Sequence, residues 1–298
     1  MNRKMAPERS LTRSLQEYLR GIAGGLLFSL PLLYTMEVWW AGFTTHPLRL
    51  MIYVLATFTL LLGYNQYSGL RRDASPVEVA IDSVEEMGLG IVIAAVFLWL
   101  LGQITVQMTL NEICGKIIVE AMTVAIGVSV GTAQLGGGEG GEKGDKGMDS
   151  NASGADACPV PLLIEDNGDF IGQVSIAFCA AVLFASNVAP TEEIIVIGTQ
   201  SGSGRLLSFA IASILLGALI LFYSDFTGAQ QFAQTSRSIK TVFFGAVVTY
   251  AIALVASAAI LWFFGRFDGV APITCLAQTV VLGLPATLGA SAGRLLLQ

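Results

Sequence analysis

Histidine and charge are both scarce in this sequence. It holds one histidine, His46, and 13% of its 298 residues are charged. A single histidine excludes an HExxH zinc site and leaves only one candidate base for a Ser-His-Asp triad. The four cysteines show no CxxC or other metal spacing and are too few for a disulfide framework. We therefore expect no enzyme and no cofactor, while metal binding stays open.

Basic residues are also few, and they form no stripe that would neutralise the phosphates of a nucleic acid. Hydrophobic residues instead make up 54% of the chain, and its mean hydropathy is +0.68. Soluble domains usually carry about a quarter charged residues. This composition is therefore typical of a protein whose solvent is the lipid bilayer.

Eight segments are long and apolar enough to cross a membrane, which takes roughly 20 residues in a helix. They lie at about 21–40, 49–68, 77–104, 113–134, 168–189, 206–225, 239–264 and 273–293. The sequence thus predicts an all-α fold, a polytopic transmembrane helical bundle of eight helices.

A Gly-, Ser- and Asp-rich tract without hydrophobic periodicity separates the fourth and fifth spans. Such a tract buries too little apolar surface to offset its ordering entropy, so we interpret it as a flexible linker. The predicted organisation is a basic N-terminus at 1–20, a four-helix unit at 21–136, the linker at 137–167 and a second four-helix unit at 168–298.

The basic residues predict the orientation. Most lie on the side of the N-terminus, and only Arg49, Arg205 and Arg266 fall at the opposite ends of the spans. Because basic residues accumulate in cytoplasmic segments, both termini and the linker are predicted to be cytoplasmic.

The two four-helix units share four motifs in the same order, which predicts an internal duplication. The matches are Glu37–Arg49 with Glu193–Arg205, Tyr64–Gly69 with Tyr223–Gly228, Leu98–Gly102 with Leu261–Gly265, and Gly127–Gly131 with Gly289–Gly293. Units of four helices both enter from the same side, so the repeats would be parallel and related by a pseudo-twofold axis along the membrane normal.

The last pair of motifs reads G-x-S-x-G in both copies. The residues are Gly127, Ser129, Gly131, Gly289, Ser291 and Gly293. A nucleophile elbow requires a strand, a strained turn and a helix, whereas both copies lie inside apolar helical segments. Small residues four apart let two helices approach closely in lipid, so we assign these residues to helix packing.

Acidic and basic residues flank both first hairpins. Glu37 and Arg49 stand in the first unit, and Glu193 (with Glu192) and Arg205 stand in the second. One interpretation is a structural clamp in which each glutamate pairs with the arginine of its own hairpin. The other is an acidic vestibule that attracts cations, since ionisable groups at membrane depth usually face the protein interior.

Pro190 precedes Thr191 and two glutamates, a signature of a helix start. We expect the fifth helix to break after Ala189 and a short helix to follow to about Ile197. Alternatively, Pro190 opens an interfacial helix in the loop.

The third predicted span begins with acids at helical spacings, namely Glu78, Asp82, Glu85 and Glu86. They could bind a divalent cation or hold a proton through mutual repulsion, or they could be solvated. A third alternative pairs Asp82 or Glu86 with Arg237 or Lys240 of the second unit.

The helix of the fourth predicted span carries Glu112, Lys116 and Glu120 on one stripe, because they stand four residues apart. Glu120 lies about a third of the way into the helix. A carboxylate at that depth is a functional candidate, and neutralisation by Lys116 is the alternative.

The Ala189–Glu193 stretch, the eight-helix layout and the Gly-rich linker together resemble a bacterial family of integral membrane proteins of unknown function. The resemblance implies a multi-pass protein of the bacterial inner membrane and assigns no activity.

From the residues themselves we expect a transporter or channel for a small cation, with proton coupling as an option. Its ion-binding or pathway candidates are Glu37, Glu192, Glu193, Asp82, Glu86 and Glu120, and its structural charge partners are Arg49, Arg205 and Lys116. The alternative is a non-transporting membrane scaffold or sensor whose charges are clamps. The expected partners are the lipid bilayer and small cations, and a homo-oligomer is left open.

Overall fold

The computed structural model describes residues 11–68, 75–135, 165–228 and 239–295. These ranges form ten helices: α1 (Leu11–Leu33), α2 (Met36–Thr44), α3 (Pro47–Ser68), α4 (Pro76–Leu100), α5 (Leu110–Leu135), α6 (Glu165–Val188), α7 (Glu192–Gln200), α8 (Ser203–Gly228), α9 (Ile239–Phe263) and α10 (Pro272–Leu295). We call α1–α5 the first half and α6–α10 the second half. Most of the predicted linker lies outside the described residues, and α6 begins inside its predicted C-terminal end.

Seven of the described helices are each long and apolar enough to cross a membrane. The remaining predicted span, the first in the chain at about 21–40, is not a single helix. It corresponds to α1 and α2, which meet at an angle of 85° and are long and apolar enough to cross a membrane only when taken together. The all-α, polytopic fold class is therefore confirmed, with the first span broken.

The break between α1 and α2 is centred on Thr35, which has an extended backbone. Its side-chain hydroxyl donates to the carbonyl oxygen of Pro31 at 2.6 Å, and its backbone carbonyl accepts from the N–H of Val38. Thr35 thus closes one helix and opens the next. The sequence suggests a kink in this span at Pro31, whereas the structure keeps Pro31 inside α1 and breaks the span at Thr35.

Both interpretations of Pro190 place a helix start just after it, and the structure has one there. α6 ends at Val188, Thr191 is extended, and α7 begins at Glu192. Because proline has no N–H to donate, Pro190 favours an entry into a new helix over continuation of the old one. α7 runs three residues past the predicted end, to Gln200.

Both halves contain one long helix, one nine-residue helix and three further long helices, in that order. The Leu-Trp-x-x-Gly motifs also form the same helix end twice. The N–H of Gly102 donates to Trp99 and that of Gln103 to Leu98, and Gly265 and Arg266 repeat both bonds with Trp262 and Leu261. Gly102 and Gly265 have φ of 69° and 70°, as the glycine of a Schellman motif requires. Common descent of the halves stays a prediction.

Each half packs around its last helix, with α5 contacting α1–α4 and α10 contacting α6–α9. Glycines permit the closest approach. A Cβ on Gly131 would overlap the Cα of Gly24, and a Cβ on Gly289 would stand 2.6 Å from the carbonyl oxygen of Ala180. The G-x-S-x-G stretches therefore lie at helix contacts, and the halves join chiefly where α6 meets α1 and α3.

Candidate functional site

Glu120 lies in the interior of the first half, on α5. Its residue is 1% exposed, and neither carboxylate oxygen has a hydrogen-bond partner among the described residues. The Trp39 indole lies beside it, but its N–H donates to the Leu33 carbonyl oxygen at 3.1 Å. A buried carboxylate is costly unless it is protonated or paired with a cation. The arrangement can therefore hold a proton or a small cation.

Lys116 stands one turn before Glu120 and is 5% exposed. Its ammonium donates to the carbonyl oxygen of Gln103 at 3.0 Å and lies 5.9 Å from the ring centroid of Phe43. No salt bridge joins it to Glu120 in the described part of the chain. Lys116 thus contributes charge near Glu120 without occupying its oxygens.

A second polar cluster joins α3, α4 and α5. The Asn65 amide donates to a Glu86 carboxylate oxygen at 2.7 Å and to the Ser83 hydroxyl at 3.1 Å. The Ser129 hydroxyl donates to the Asn65 amide oxygen at 2.8 Å. Ser129, which sequence reasoning assigned to packing, therefore also belongs to a polar network, and Asn65 is a residue that the sequence analysis missed.

Polar groups also lie between the two carboxylates along α3 and α5. The Tyr53 and Thr123 hydroxyls are 2.8 Å apart. The Thr57 hydroxyl, one turn beyond Tyr53, is buried without a partner among the described residues. Buried polar groups at membrane depth mark a candidate pathway, and here they lie between Glu120 and the Asn65 cluster.

The other acids of α4 do not belong to the Asn65 cluster. Glu78 forms a capping box with Ser75, whose N–H donates to its carboxylate at 3.0 Å. Asp82 is half-buried, and Glu85 is exposed. Within the described ranges no group of three or more His, Cys, Asp or Glu side chains could hold a metal ion. The Arg237 and Lys240 side chains lie outside the described residues, so that pairing stays a prediction.

Arg49 has a different partner from the one considered in the sequence analysis. Its guanidinium donates two hydrogen bonds of 2.7 Å to the Asp268 carboxylate and lies 5.3 Å from the Trp262 ring centroid. Asp268 stands in the loop between α9 and α10, so the pair joins the two halves and does not close the Glu37 hairpin. Arg205, at the matching position of the second half, is exposed.

Arg266 lies among the predicted outer acids. It donates to the carbonyl oxygen of Pro190. Burial lowers the pKa of its guanidinium, and nearby Glu37 and Glu192 oppose that shift. Glu193 is exposed, and its own backbone N–H and the Thr191 hydroxyl hold the pKa of its carboxyl below the ordinary value. The acids therefore do not form an uncompensated ring.

A cavity of about 530 Å³ opens between the halves. It lies on the face that carries α2, α7 and the two loops 101–109 and 264–271, which we call the short-helix face. Its polar lining comes from Thr44, Thr45, His46, Arg49 and Asp268. Sequence reasoning used Arg266 only for orientation and did not single out Asp268, although Arg266 follows the repeated Leu-Trp-x-x-Gly motif directly and Asp268 stands two residues later.

We expect Asp268→Asn to lower thermal stability slightly at neutral pH, because an exposed ion pair contributes little. Hydrogen bonds from Arg49 hold the pKa of Asp268 below its ordinary value of 3.8. The contribution is therefore complete above that value and disappears as the pH falls through the lowered folded-state pKa. Melting temperatures of wild type and variant should converge on acidification, and a gap that persists in acid would contradict the assignment.

A family model described as "Putative integral membrane protein (DUF2391)" matches residues 17–297. The chain therefore belongs to this family of integral membrane proteins of unknown function, and it is a multi-pass membrane-spanning protein. No curated protein matches the chain, and no solved structure does.

Proposed function

We propose that this protein transports a small cation across the membrane and that Glu120 binds the cation or an exchanging proton. The observation that carries the proposal is the Glu120 carboxylate, which is 1% exposed with no hydrogen-bond partner for either oxygen among the described residues. A purely structural acid at that depth would be expected to have donors. An exchangeable proton or cation offers a reason for its burial.

The polar groups of the first half extend this route. Tyr53, Thr123 and Thr57 lie along it, and the Asn65 cluster with Glu86 would be its next binding point. Glu86 then exchanges the cation or proton with the solution on the side of the membrane where Asp82 lies. Glu37, Glu192 and Glu193 lie at the opposite mouth of the route. Arg266 between Glu37 and Glu192 reduces the charge of that mouth.

The proposed orientation follows the basic residues. Both termini are cytoplasmic in a bacterial inner membrane, and the short-helix face is extracytoplasmic. We assign no catalysis to the chain. The two halves are proposed to derive from one duplicated unit, with the route confined to the first half, since Leu282 occupies the position that corresponds to Glu120.

A membrane scaffold or sensor is the second candidate. The bidentate Arg49–Asp268 pair favours it, because this contact between the halves serves as a clamp without any transported ion. The Arg266 bond to Pro190 is a further clamp of this kind, within the second half.

Cation flux into proteoliposomes, with and without an imposed pH gradient, separates the two functions. Glu120→Gln should reduce flux to the level of empty liposomes, because the neutral amide has no negative charge to bind a cation and does not take up and release a proton. Glu86→Gln should reduce it strongly. Glu85→Gln is the matched control, since it removes an exposed acid from the same helix.

The transport proposal fails if wild-type protein carries no common cation, or if the folded Glu120→Gln variant keeps full flux. In the first case, the absence of flux would favour the scaffold. Glu193→Gln tests the mouth separately, and we expect a change in the concentration dependence of flux with little change in its maximum.

A further inference from the structure

The cavity on the short-helix face is built by both halves and takes no part in the proposed route. The first half contributes the end of α2 and the start of α3, and the second half contributes Trp262, Phe264 and the loop that holds Asp268. Its volume of about 530 Å³ lies within the usual range for small-ligand sites.

The cavity lies at the level of the membrane interface. Trp40, Trp99 and Trp262 are 59%, 67% and 40% exposed and lie near the ends of helices at the short-helix face. Exposed tryptophans at one level are typical of the headgroup region. Three exposed apolar side chains follow the cavity along α3. They are Leu48, Met51 and Leu55, at 58%, 63% and 63% exposure. A ligand here would therefore have headgroups on one side and acyl chains on the other.

The charges in the cavity are one cation and one anion. Arg49 uses two of its donors on Asp268, and a guanidinium has five. The Asp268 side chain is 57% exposed, so its carboxylate can accept further bonds. His46 Nδ1 accepts from the N–H of Leu48 at 3.2 Å, which leaves Nε2 as the protonated donor of the neutral ring.

From this arrangement we infer that the cavity binds the headgroup of a zwitterionic phospholipid of the phosphatidylethanolamine class. This headgroup carries a phosphate and a primary ammonium. The phosphate accepts from Arg49 and His46, the ammonium donates to Asp268, and the acyl chains lie on the exposed face of α3. A zwitterion satisfies both members of the ion pair and adds no net charge to the site.

Two alternatives fit the lining less well. An anionic lipid would place a phosphate beside the Asp268 carboxylate with no ammonium to compensate it. A choline headgroup has no N–H to donate to Asp268, and its best remaining contact is an aromatic face. Arg49 already stands over the ring of Trp262.

The test measures lipid binding to the purified full-length protein by native mass spectrometry and by thermal stabilisation. The probes are phosphatidylethanolamine, phosphatidylcholine, phosphatidylglycerol and free phosphoethanolamine. We expect the ethanolamine lipid to bind most tightly, and Asp268→Asn to weaken it about tenfold, as loss of a charge-assisted hydrogen bond predicts. His46→Ala, which leaves the Arg49–Asp268 pair intact, should weaken it less.

Arg205→Gln is the matched control, because Arg205 occupies the corresponding position of the second half and does not line the cavity. It should leave binding unchanged. Equal binding of all three lipids, or equal losses in Arg205→Gln and Asp268→Asn, would overturn the inference. Binding of free phosphoethanolamine as tight as that of the lipid would also overturn it, since the ligand would then be a soluble zwitterion.

Discussion

Replacing Gly131 by alanine should destabilise the protein by about 3 kcal/mol or more, because the added methyl group has no space. A Cβ at this position would overlap the Cα of Gly24 on α1. A side chain can change rotamer, but a backbone atom can move only with its helix. The variant must therefore separate α1 from α5, the helix around which the first half packs.

Gly88→Ala is the control for this substitution. Gly88 lies in α4, and a Cβ there would meet nothing within 4 Å. Alanine has the higher helix propensity, so this variant should be neutral or slightly stabilised. Thermal unfolding in one detergent would compare the two, and equal melting temperatures for Gly131→Ala and wild type would show that α1 and α5 are not in contact at this point.

Replacing Asn187 by alanine is expected to cost about 2–3 kcal/mol, since it removes hydrogen bonds to backbone groups of another helix. The Asn187 amide oxygen accepts from the N–H of Leu32 at 3.0 Å. Its amide nitrogen donates to the carbonyl oxygen of Phe28 at 3.1 Å. These two backbone groups are four residues apart, so in a regular helix they would bond to each other.

Pro31 explains why α1 needs this amide. The proline has no N–H, and its ring crowds the preceding turn of the helix. Asn187 on α6 bonds to the adjacent groups from outside, and the turn around Pro31 thereby becomes a contact between the halves.

A double-mutant cycle tests this account. Pro31→Ala removes the ring that crowds this turn and lets the Leu32 N–H and the Phe28 carbonyl oxygen bond as in a regular helix. Asn187→Ala should therefore cost much less in the Pro31→Ala background. Asn187→Ala alone should lower the melting temperature and the protection of α1 amides from hydrogen exchange. Equal costs in both backgrounds would mean that Asn187 acts through its other bond, to Leu183.

Local signals in the sequence were sufficient for the helices. A span is recognised from about 20 apolar residues in succession, and seven of the eight predicted spans correspond to single helices. Pro190 with the acids after it was sufficient for the start of α7. For the first span Pro31 suggested only a kink, and the position of the break at Thr35 depends on a hydroxyl that bonds the preceding turn.

The candidate site was predicted only in part. Glu120 stood out because a carboxylate deep in an apolar helix is rare, and the structure places it 1% exposed. Asn65 was not singled out from the sequence, and only the packing of α3 against α4 and α5 places it beside Glu86 and Ser129. Arg49 was considered with Glu37, which is nearer in the sequence than Asp268.

By itself the sequence determined that this is a multi-pass helical membrane protein and where most of its helices lie. These properties depend on composition and on spacing along one helix. The tertiary structure decided the partners of Arg49, Arg266, Asn65 and Asn187. Apolar helix faces in lipid differ little in hydropathy, so hydropathy cannot select which faces meet. Close packing and interhelical hydrogen bonds make that choice.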